Sequence, residues 1–439
     1  MKRRIKVIGG GLAGSEAALQ LASRGFSVDL YEMRGVQGTP AHQSTDLAEL
    51  VCSNSFKGLG LTSAHGLFKN ELQKLGAFLM EAAFATRVPA GESLTVNRQE
   101  FAQLITKKIT EHPLITLHRE EVTSLEDDRP TLVASGPLSS DKLAQDLFSR
   151  LGTEKLHFFD AIAPVVEFDS INMEHAYFRN RWDKGESADF INCPLDKETY
   201  ELIVEKLRNA DAVEPKPFEK KELFEGCLPI EEMARRGIDT LRFGPLRPVG
   251  LGDNPETGRR WHAVIQLRKE NTQGTLYNMV GFQTRLRWGT QKEIFSLIPA
   301  LKNAEYARMG AMHRNTFIDS PNLLDNHLKL KQKHPDLPPI WFAGQITGAE
   351  GYTEAVATGY YAAWNMAHSL TRKDVPAFPE ESCLKSLVNH LTAPNADFQP
   401  MNFNYGLLPR IPEARKSQRK EMMAQRAQKT VDDWICEMR

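Results

Sequence analysis

The sequence predicts an α/β fold in which a dinucleotide-binding domain is interrupted by an inserted mixed α+β domain. Three observations point to it. The chain begins with a β-branched run, a glycine-rich turn and a helical pattern; two further segments, at residues 131–138 and 340–351, repeat the strand-then-glycine-turn design; and between 166 and 304 the texture changes to strand-like stretches mixed with polar loops. The expected division is 1–165 for the first part of the binding domain, 166–304 for the insert and 305–439 for the second part.

The elements follow in order. Ile5 to Ile8 is a short buried strand, Gly9 to Gly14 a tight turn, and Ala13 to Arg24 a helix with Ala17, Ala18, Leu21 and Ala22 on one side and Gly25 as its C-terminal cap. Phe26, Val28 and Leu30 alternate with Ser27, Asp29 and Tyr31, giving a second strand that ends at Glu32 and completes a βαβ unit. TLVASGPL at 131–138 and IWFAG at Ile340 to Gly344 are the other two strand ends, the latter followed by a helix over Tyr352 to Ala367. In the insert, Trp261 to Leu267 and Tyr277 to Thr284 are strand-like. No repeat and no low-complexity tract stands out.

Composition narrows the function classes. With 439 residues, 25% of them charged and 41% hydrophobic, the chain has the balance of a globular protein with sizeable cores. Its 55 Lys and Arg against 56 Asp and Glu supply no global basic field, so a nucleic-acid partner requires a local patch. Five cysteines without a CxxC pair disfavour a disulfide framework or a structural zinc, and fit a reducing cytoplasm. The apolar stretch in MKRRIKVIGGGLAG is too short for a signal-peptide core, and no apolar segment reaches the length of a membrane span. No membrane association and no metal site are expected.

Gly9, Gly11 and Gly14 match G-x-G-x-x-G, in which the first glycine permits the turn, the second admits a pyrophosphate and the third allows close helix-to-strand packing. Glu32 stands at a strand end 18 residues after Gly14, where a carboxylate binds ribose hydroxyls. The pattern suits FAD and NAD alike. Ser135 and Gly136, and the turn from Gly344 to Gly351 before a helix, would let a long cofactor lie across several strand ends. The expected cofactor-binding residues are therefore Gly9, Gly10, Gly11, Leu12, Ala13, Gly14, Glu32, Ser135, Gly136, Gly344, Gly351 and Tyr352.

Two cysteines have reactive settings. In EGCLPIEEMARRG, Pro229 at a first helical position, Glu231 and Glu232 in the first turn and Gly237 after Arg235 and Arg236 describe a short helix, with Cys227 just before its N-terminus. That setting raises the thiolate fraction, as a nucleophile requires. Cys52, in AELVCSNS, follows an apolar run and enters a polar loop. Cys193, Cys383 and Cys436 are read as small buried hydrophobes.

At this point the chain resembles a known family along nearly its whole length: the folate- and FAD-dependent tRNA (uracil-5-)-methyltransferases, similar in their flavin fold to the GidA-type tRNA-modifying flavoproteins. The resemblance rests on GGGLAGSEAA at Gly9–Ala18, YEMR at Tyr31–Arg34, TPAH at Thr39–His42, LVCSNS at Leu50–Ser55 and RVPAG at Arg87–Gly91. Further on come SADFINCP at Ser187–Pro194, EGCLPIEEMARRG at Glu225–Gly237, FGPLRPVGL at Phe243–Leu251, VGFQT at Val280–Thr284 and MHRNT at Met312–Thr316. AGQITGAEGYTEAVATG at Ala343–Gly359 and FQPMNFNYGLLP at Phe398–Pro409 complete it. One departure is Asn97, where the family pattern leads us to expect Asp.

The resemblance implies a Rossmann-like, glutathione-reductase-like FAD-binding domain and an enzyme that forms 5-methyluridine in the T-loop of tRNA. Its one-carbon unit would come from 5,10-methylenetetrahydrofolate and its reducing equivalents from FADH2, itself reduced by NADH or NADPH. Carbon 5 of uracil is a poor nucleophile, so a thiolate must first add at carbon 6, and the resemblance assigns this to Cys227. Cys52 would remove the carbon-5 proton or guard the flavin-bound methylene. His313 is similar to the residue that stacks on folate in this family, and Arg314, Arg285 and Arg287 would serve folate carboxylates or RNA phosphates.

The tail from Arg410 to Lys429 carries Arg410, Arg415, Lys416, Arg419, Lys420, Arg426 and Lys429 against Glu413 and Glu421, either as a phosphate-contacting surface or as an amphipathic helix with Met422 and Met423 inward. Other readings remain open at the level of sequence: the same chemistry on a ribosomal RNA uracil, a plain FAD oxidoreductase, or a non-catalytic RNA-binding flavoprotein. Oligomeric state is not legible.

Overall fold

The computed structural model describes residues 4–39, 41–152, 156–185, 187–212, 228–331, 338–371, 377–395, 398–412, 415 and 418–438, with backbone alone for 156–161 and 312–314. A five-stranded parallel sheet organises the first domain, in the order Ile340–Phe342, Thr131–Val133, Ile5–Ile8, Val28–Tyr31, Ile115–His118. The first strand of the chain lies at its centre and all four of its residues are buried, as expected of a parallel strand covered on both faces. Lys6 within it is held by Asp127 at 3.3 Å.

The glycine turn leads into the helix Leu12–Ser23, which begins and ends one residue before the expected bounds. Gly25, at φ +79°, donates its N–H to Ala22 and ends the helix as a glycine in the left-handed region can. The second strand stops at Tyr31, with Glu32 next after it. The third turn precedes Tyr352–Thr371, a helix longer than the expected Tyr352 to Ala367 and buried along most of its length against Leu12–Ser23. The close approach is made at Gly359: a Cβ there would lie 2.3 Å from the Ala13 carbonyl oxygen.

An antiparallel six-stranded sheet forms the second domain, in the order Tyr177–Phe178, Phe190–Leu195, Ala263–Lys269, Leu276–Met279, Val165–Glu167, Tyr306–Arg308. Two separate cores result. One takes its residues from Ile5 to Leu151 and from Phe317 to Trp434, the other from Val166 to Leu301. Between them runs a two-stranded antiparallel ribbon, Leu156–Ile162 against Ala311–Phe317.

Several local expectations are corrected. Strands expected at Trp261 to Leu267 and Tyr277 to Thr284 lie at Ala263–Lys269 and Leu276–Met279, because Gly281 at φ +78° turns the chain out of the sheet. Pro229 is the residue before the helix Ile230–Arg236, not its first. In the last helix, Arg419–Glu437, Met423 faces inward with Ala427, Val431 and Trp434, whereas Met422 is exposed. Cys436 is exposed as well, since its position places it off that inward face; Cys193 and Cys383 are buried. Among the described residues no helix is long and apolar enough to cross a membrane.

Candidate active site

The site begins with what the glycines make possible. Gly9 has φ +103°, and a Cβ on it would lie 2.3 Å from the Ala134 carbonyl oxygen; one on Gly14 would lie 1.8 Å from the oxygen of Gly9. These two positions exclude any side chain for the sake of packing alone. Gly11 differs: a Cβ there meets nothing within 4 Å, because Gly11 faces an open groove. No side chain caps the helix that starts here, so its first N–H groups and its dipole are offered to an anion in that groove.

Glu32 borders the same groove. Its carboxylate accepts the Gly10 N–H at 2.9 Å and is held by Arg34, which donates its own N–H at 2.9 Å and its Nε at 3.0 Å. Burial alone would raise this carboxyl, but the hydrogen bonds and charge of Arg34 with the backbone donors hold it below its usual range. A charged acceptor therefore stands ready beside the turn.

The three strand ends converge on one cleft of about 950 Å³, lined by Gly9, Gly11, Glu32, Ser135, Gly136 and Gly344 among others. Gly136 and Gly344 have φ +71° and +82°, and a Cβ on Gly344 would come within 2.8 Å of the Cβ of Ala13. A second cavity of about 1060 Å³ continues from the first, with Cys52, Lys57, Arg268 and Asn278 in its walls. Val51, Pro137, Leu138, Gln345 and Tyr352 border both.

Cys52 is half-buried at this junction. Its backbone N–H donates to the Tyr352 hydroxyl at 2.9 Å, as does that of Ser53 at 3.0 Å. Burial raises the Tyr352 phenol, which stays protonated and donates to the Ser53 carbonyl at 2.9 Å. Arg268 and Arg308 both lie within electrostatic reach of Cys52; burial and Arg98 pull the Arg308 guanidinium down to about 10 against the pull of Glu270. Arg98 pairs with Glu270, so three arginines and one glutamate meet where the two domains touch.

Comparison with known proteins decides the family. Residues 4–374 match the family model described as GIDA, Glucose inhibited division protein A. The chain is 50% identical over 430 residues, 97% of its length and 98% of the other's, to the "Methylenetetrahydrofolate--tRNA-(uracil-5-)-methyltransferase TrmFO" of Listeria innocua. It is 50% identical to the protein of the same name from Halalkalibacterium halodurans, with 99% of each chain covered. The chain belongs to the GidA-related TrmFO family. Its fold is similar to that of Aquifex aeolicus GidA, with a TM-score of 0.69 at 17% identity, over 99% of this chain and 73% of that one.

Within this TrmFO-family chain Gly9, Gly11, Leu12, Ala13, Glu32, Ser135, Gly136, Gly344 and Tyr352 line the first cleft, whereas Gly10 lies behind the turn against Leu47 and Glu32 and Gly14 is packed against the Gly9 backbone rather than facing the cleft. Gly351, at φ +119°, lies in the second cavity instead. Cys227 lies outside the described residues, and so does Lys416. His313 and Arg314 are described by backbone alone: they pair with Asp160 and Phe159 in the ribbon between the domains. Arg287 is exposed at the start of the helix Trp288–Phe295.

Arg285 is corrected. It is buried and paired with Glu231 and Glu232 of the short helix, which commits it to packing rather than to a ligand. Asn97 finds its reason here: it caps the helix Arg98–Thr110, accepting from Gln99 and Glu100, and its amide reaches Thr272 of the second domain at 3.1 Å. Arg268, Lys57 and Asn54 were missed, because nothing local distinguishes them. Asn54 donates to the carbonyls of Val96, Lys269 and Glu270 at 3.0 to 3.1 Å and so ties the two domains together beside Cys52.

Proposed function

We propose that this chain forms 5-methyluridine at the T-loop uracil of tRNA, taking its one-carbon unit from 5,10-methylenetetrahydrofolate, and that it works in the cytoplasm. The observation that carries the reading is the continuity of the two cavities, since a dinucleotide held along the glycine turns would lead toward the cavity whose wall holds Cys52. FAD fits the first cleft: an uncapped helix start and the open face of Gly11 suit a pyrophosphate, and the charged Glu32 carboxylate suits ribose hydroxyls. When bound and reduced by NADH or NADPH, FAD supplies the reducing equivalents.

The chain's own residues do the rest. Cys227 adds as thiolate to carbon 6 of the uracil, which makes carbon 5 nucleophilic. Cys52 takes the carbon-5 proton after the new carbon bond has formed, and the Cys227 sulfur is then expelled. What supports the role of Cys52 is its half-buried position beside Arg268, at the end of the flavin cleft. His313 and Arg314 hold the folate in this reading, next to the domain junction. The target uracil, stacked inside folded tRNA, is flipped out to reach the cavity.

The test is a reaction of flavin-loaded protein with methylenetetrahydrofolate, NADH or NADPH and unmodified tRNA, read as 5-methyluridine by mass spectrometry, with Cys227→Ser and a ribosomal RNA fragment in parallel. Folate-dependent product on tRNA, lost in Cys227→Ser, is expected. Product on the ribosomal fragment alone would move the substrate to rRNA, and no product from loaded protein would leave a plain flavin oxidoreductase or an RNA-binding flavoprotein.

A further inference from the structure

Outside the cleft, the second domain carries an exposed tryptophan whose setting packing does not explain. Trp182 is 61% exposed, and it and Asp183 stand consecutively in the left-handed region, at φ +62° and +52°, a conformation that residues with side chains avoid. The loop is nevertheless tightly held. The Trp182 N–H donates to the Gly250 carbonyl at 2.7 Å, and the Arg181 guanidinium donates to the carbonyls of Val249 and Arg247 and, at 3.0 Å, to the side chain of Gln266. Gly250, at φ +81°, leaves room for the indole: a Cβ there would lie 2.7 Å from the ring carbons. One face of the indole thus rests on backbone while the side chain as a whole stays largely open to water.

Exposed arginines stand in the stretches of chain beside the indole. Across 177–185 and 242–262 the arginines are Arg179, Arg181, Arg242, Arg247, Arg259 and Arg260, of which Arg179 is paired with Asp183 at 2.7 Å, Arg242 with Asp239 at 3.7 Å, and Arg181 is held on the backbone. Arg247, Arg259 and Arg260 are exposed. The patch also borders the site. Gln266, which Arg181 grips, is two residues from Arg268 on the same strand and so shares its face of the sheet, and Arg268 lines the cavity that holds Cys52. Lys184 of the same loop pairs with Glu92 of the flavin domain at 2.8 Å.

We infer that Trp182 is a stacking platform for an unpaired base of the RNA substrate, with the exposed Arg247, Arg259 and Arg260 receiving the adjoining phosphates. The inference rests on the tRNA-methyltransferase reading and names the surface by which the inserted domain grips its substrate. An indole fixed on one face and free on the other is what base stacking needs, and stacking tolerates any base because each has a π-face. The exposed arginines supply the charge complementarity that sequence-independent phosphate contact requires. Rigid support lowers the entropy lost on binding, which accounts for a strained loop kept in one geometry.

The experiment uses full-length, flavin-loaded protein and an unmodified tRNA transcript. Trp182→Ala should weaken RNA binding about tenfold and raise KM for tRNA by the same factor, while Trp182→Phe, which keeps a ring, stays within about threefold. RNA should quench part of the tryptophan emission of the wild type, and that part should be missing in Trp182→Phe, a readout that a merely structural role would not move. Replacing Arg259 and Arg260 by Ala together should lower the slope of log affinity against log salt by about 1.4. Wild-type affinity in Trp182→Ala, or the same quench in Trp182→Phe, would overturn the inference. So would a Trp182→Ala protein that binds RNA normally and changes only its state of association, which would give the ring to a second copy of the chain. Wild-type protein that binds tRNA through Trp182 without methylating it would sink the methyltransferase reading and leave the platform standing.

Discussion

The Tyr352 hydroxyl receives the backbone N–H of Cys52 at 2.9 Å, joining the start of the long helix to a loop 300 residues earlier in the chain. With the bonds to Ser53, one phenol satisfies three backbone groups at the junction of the two cavities. Tyr352→Phe leaves all three without that partner, at a cost of about 1–3 kcal/mol. We expect it to retain flavin absorbance and to lose at least about tenfold in methyl transfer, because a loosened loop misplaces the thiol. Unchanged turnover would show that the hydroxyl only fills space.

The glycines divide into two classes that substitution separates. Gly14→Ala and Gly359→Ala drive a methyl group onto backbone oxygens, at 1.8 and 2.3 Å, that no rotamer change can move. Each should destabilise the fold by about 3 kcal/mol or yield apoprotein. Gly11→Ala meets nothing in the protein and should fold with ordinary stability, yet bind FAD more weakly, since the added methyl enters the cofactor's space. Thermal melts beside flavin-to-protein ratios check both, and a Gly11→Ala protein with full flavin content would contradict the assignment of that groove.

Asn54 is the third test. Its amide nitrogen serves carbonyls from both domains, and its oxygen accepts the Arg268 Nε at 3.3 Å. Asn54→Ala should cost about 1–3 kcal/mol, raise proteolysis at the domain junction and reduce methyl transfer without loss of FAD. Identical protease patterns in variant and wild type would argue that the junction is held elsewhere.

Two buried glutamates give the stability a pH signature. Glu16 accepts the N–H groups of Phe78 and Leu79, and Glu71 those of Cys383 and Leu384, each at a helix start. Burial pushes both carboxyls from the ordinary 4.5 up to about 7, outweighing those hydrogen bonds. Between these values the folded state binds more protons than the unfolded chain, so stability falls as pH rises from 4.5 to 7 and levels off above. The loss is about 3 kcal/mol for each group at 1.36 kcal/mol per pKa unit. Melting at about pH 5 and about pH 8 should show this fall in the wild type and a smaller one in Glu16→Gln; equal falls would mean that Glu16 titrates normally.

What the sequence made legible is what depends on neighbours in the chain. Gly9 and Gly25 answer local backbone demands, and Ile5–Ile8 and Val28–Tyr31 announce themselves by β-branched or alternating residues. The resemblance carried the reading further, to a family that the comparisons bear out. Partnerships across the fold left no such trace. Arg285 looked like a ligand-binding arginine because Glu231 is more than fifty residues away from it, and Arg268 looked ordinary because Cys52 and Asn54 come from the other domain. Cys436 and Met422 were misread because a step of one residue, about 100° around the helix, decides between water and core.

The crossing of Leu12–Ser23 with Tyr352–Thr371 at Gly359 bears on the order of assembly. The first helix made by the ribosome waits for one made more than three hundred residues later, and the central strand finds its full sheet only when Ile340–Phe342 arrives. The intervening domain has its own core and can condense during that wait. In doing so it draws Leu156–Ile162 and Ala311–Phe317 side by side and replaces a long loop closure by a short one. A slow nascent chain thus leaves the side of Leu12–Ser23 that meets Tyr352–Thr371 uncovered for most of its synthesis, and a chaperone that shields this side should raise the yield of active protein more than one that acts after release.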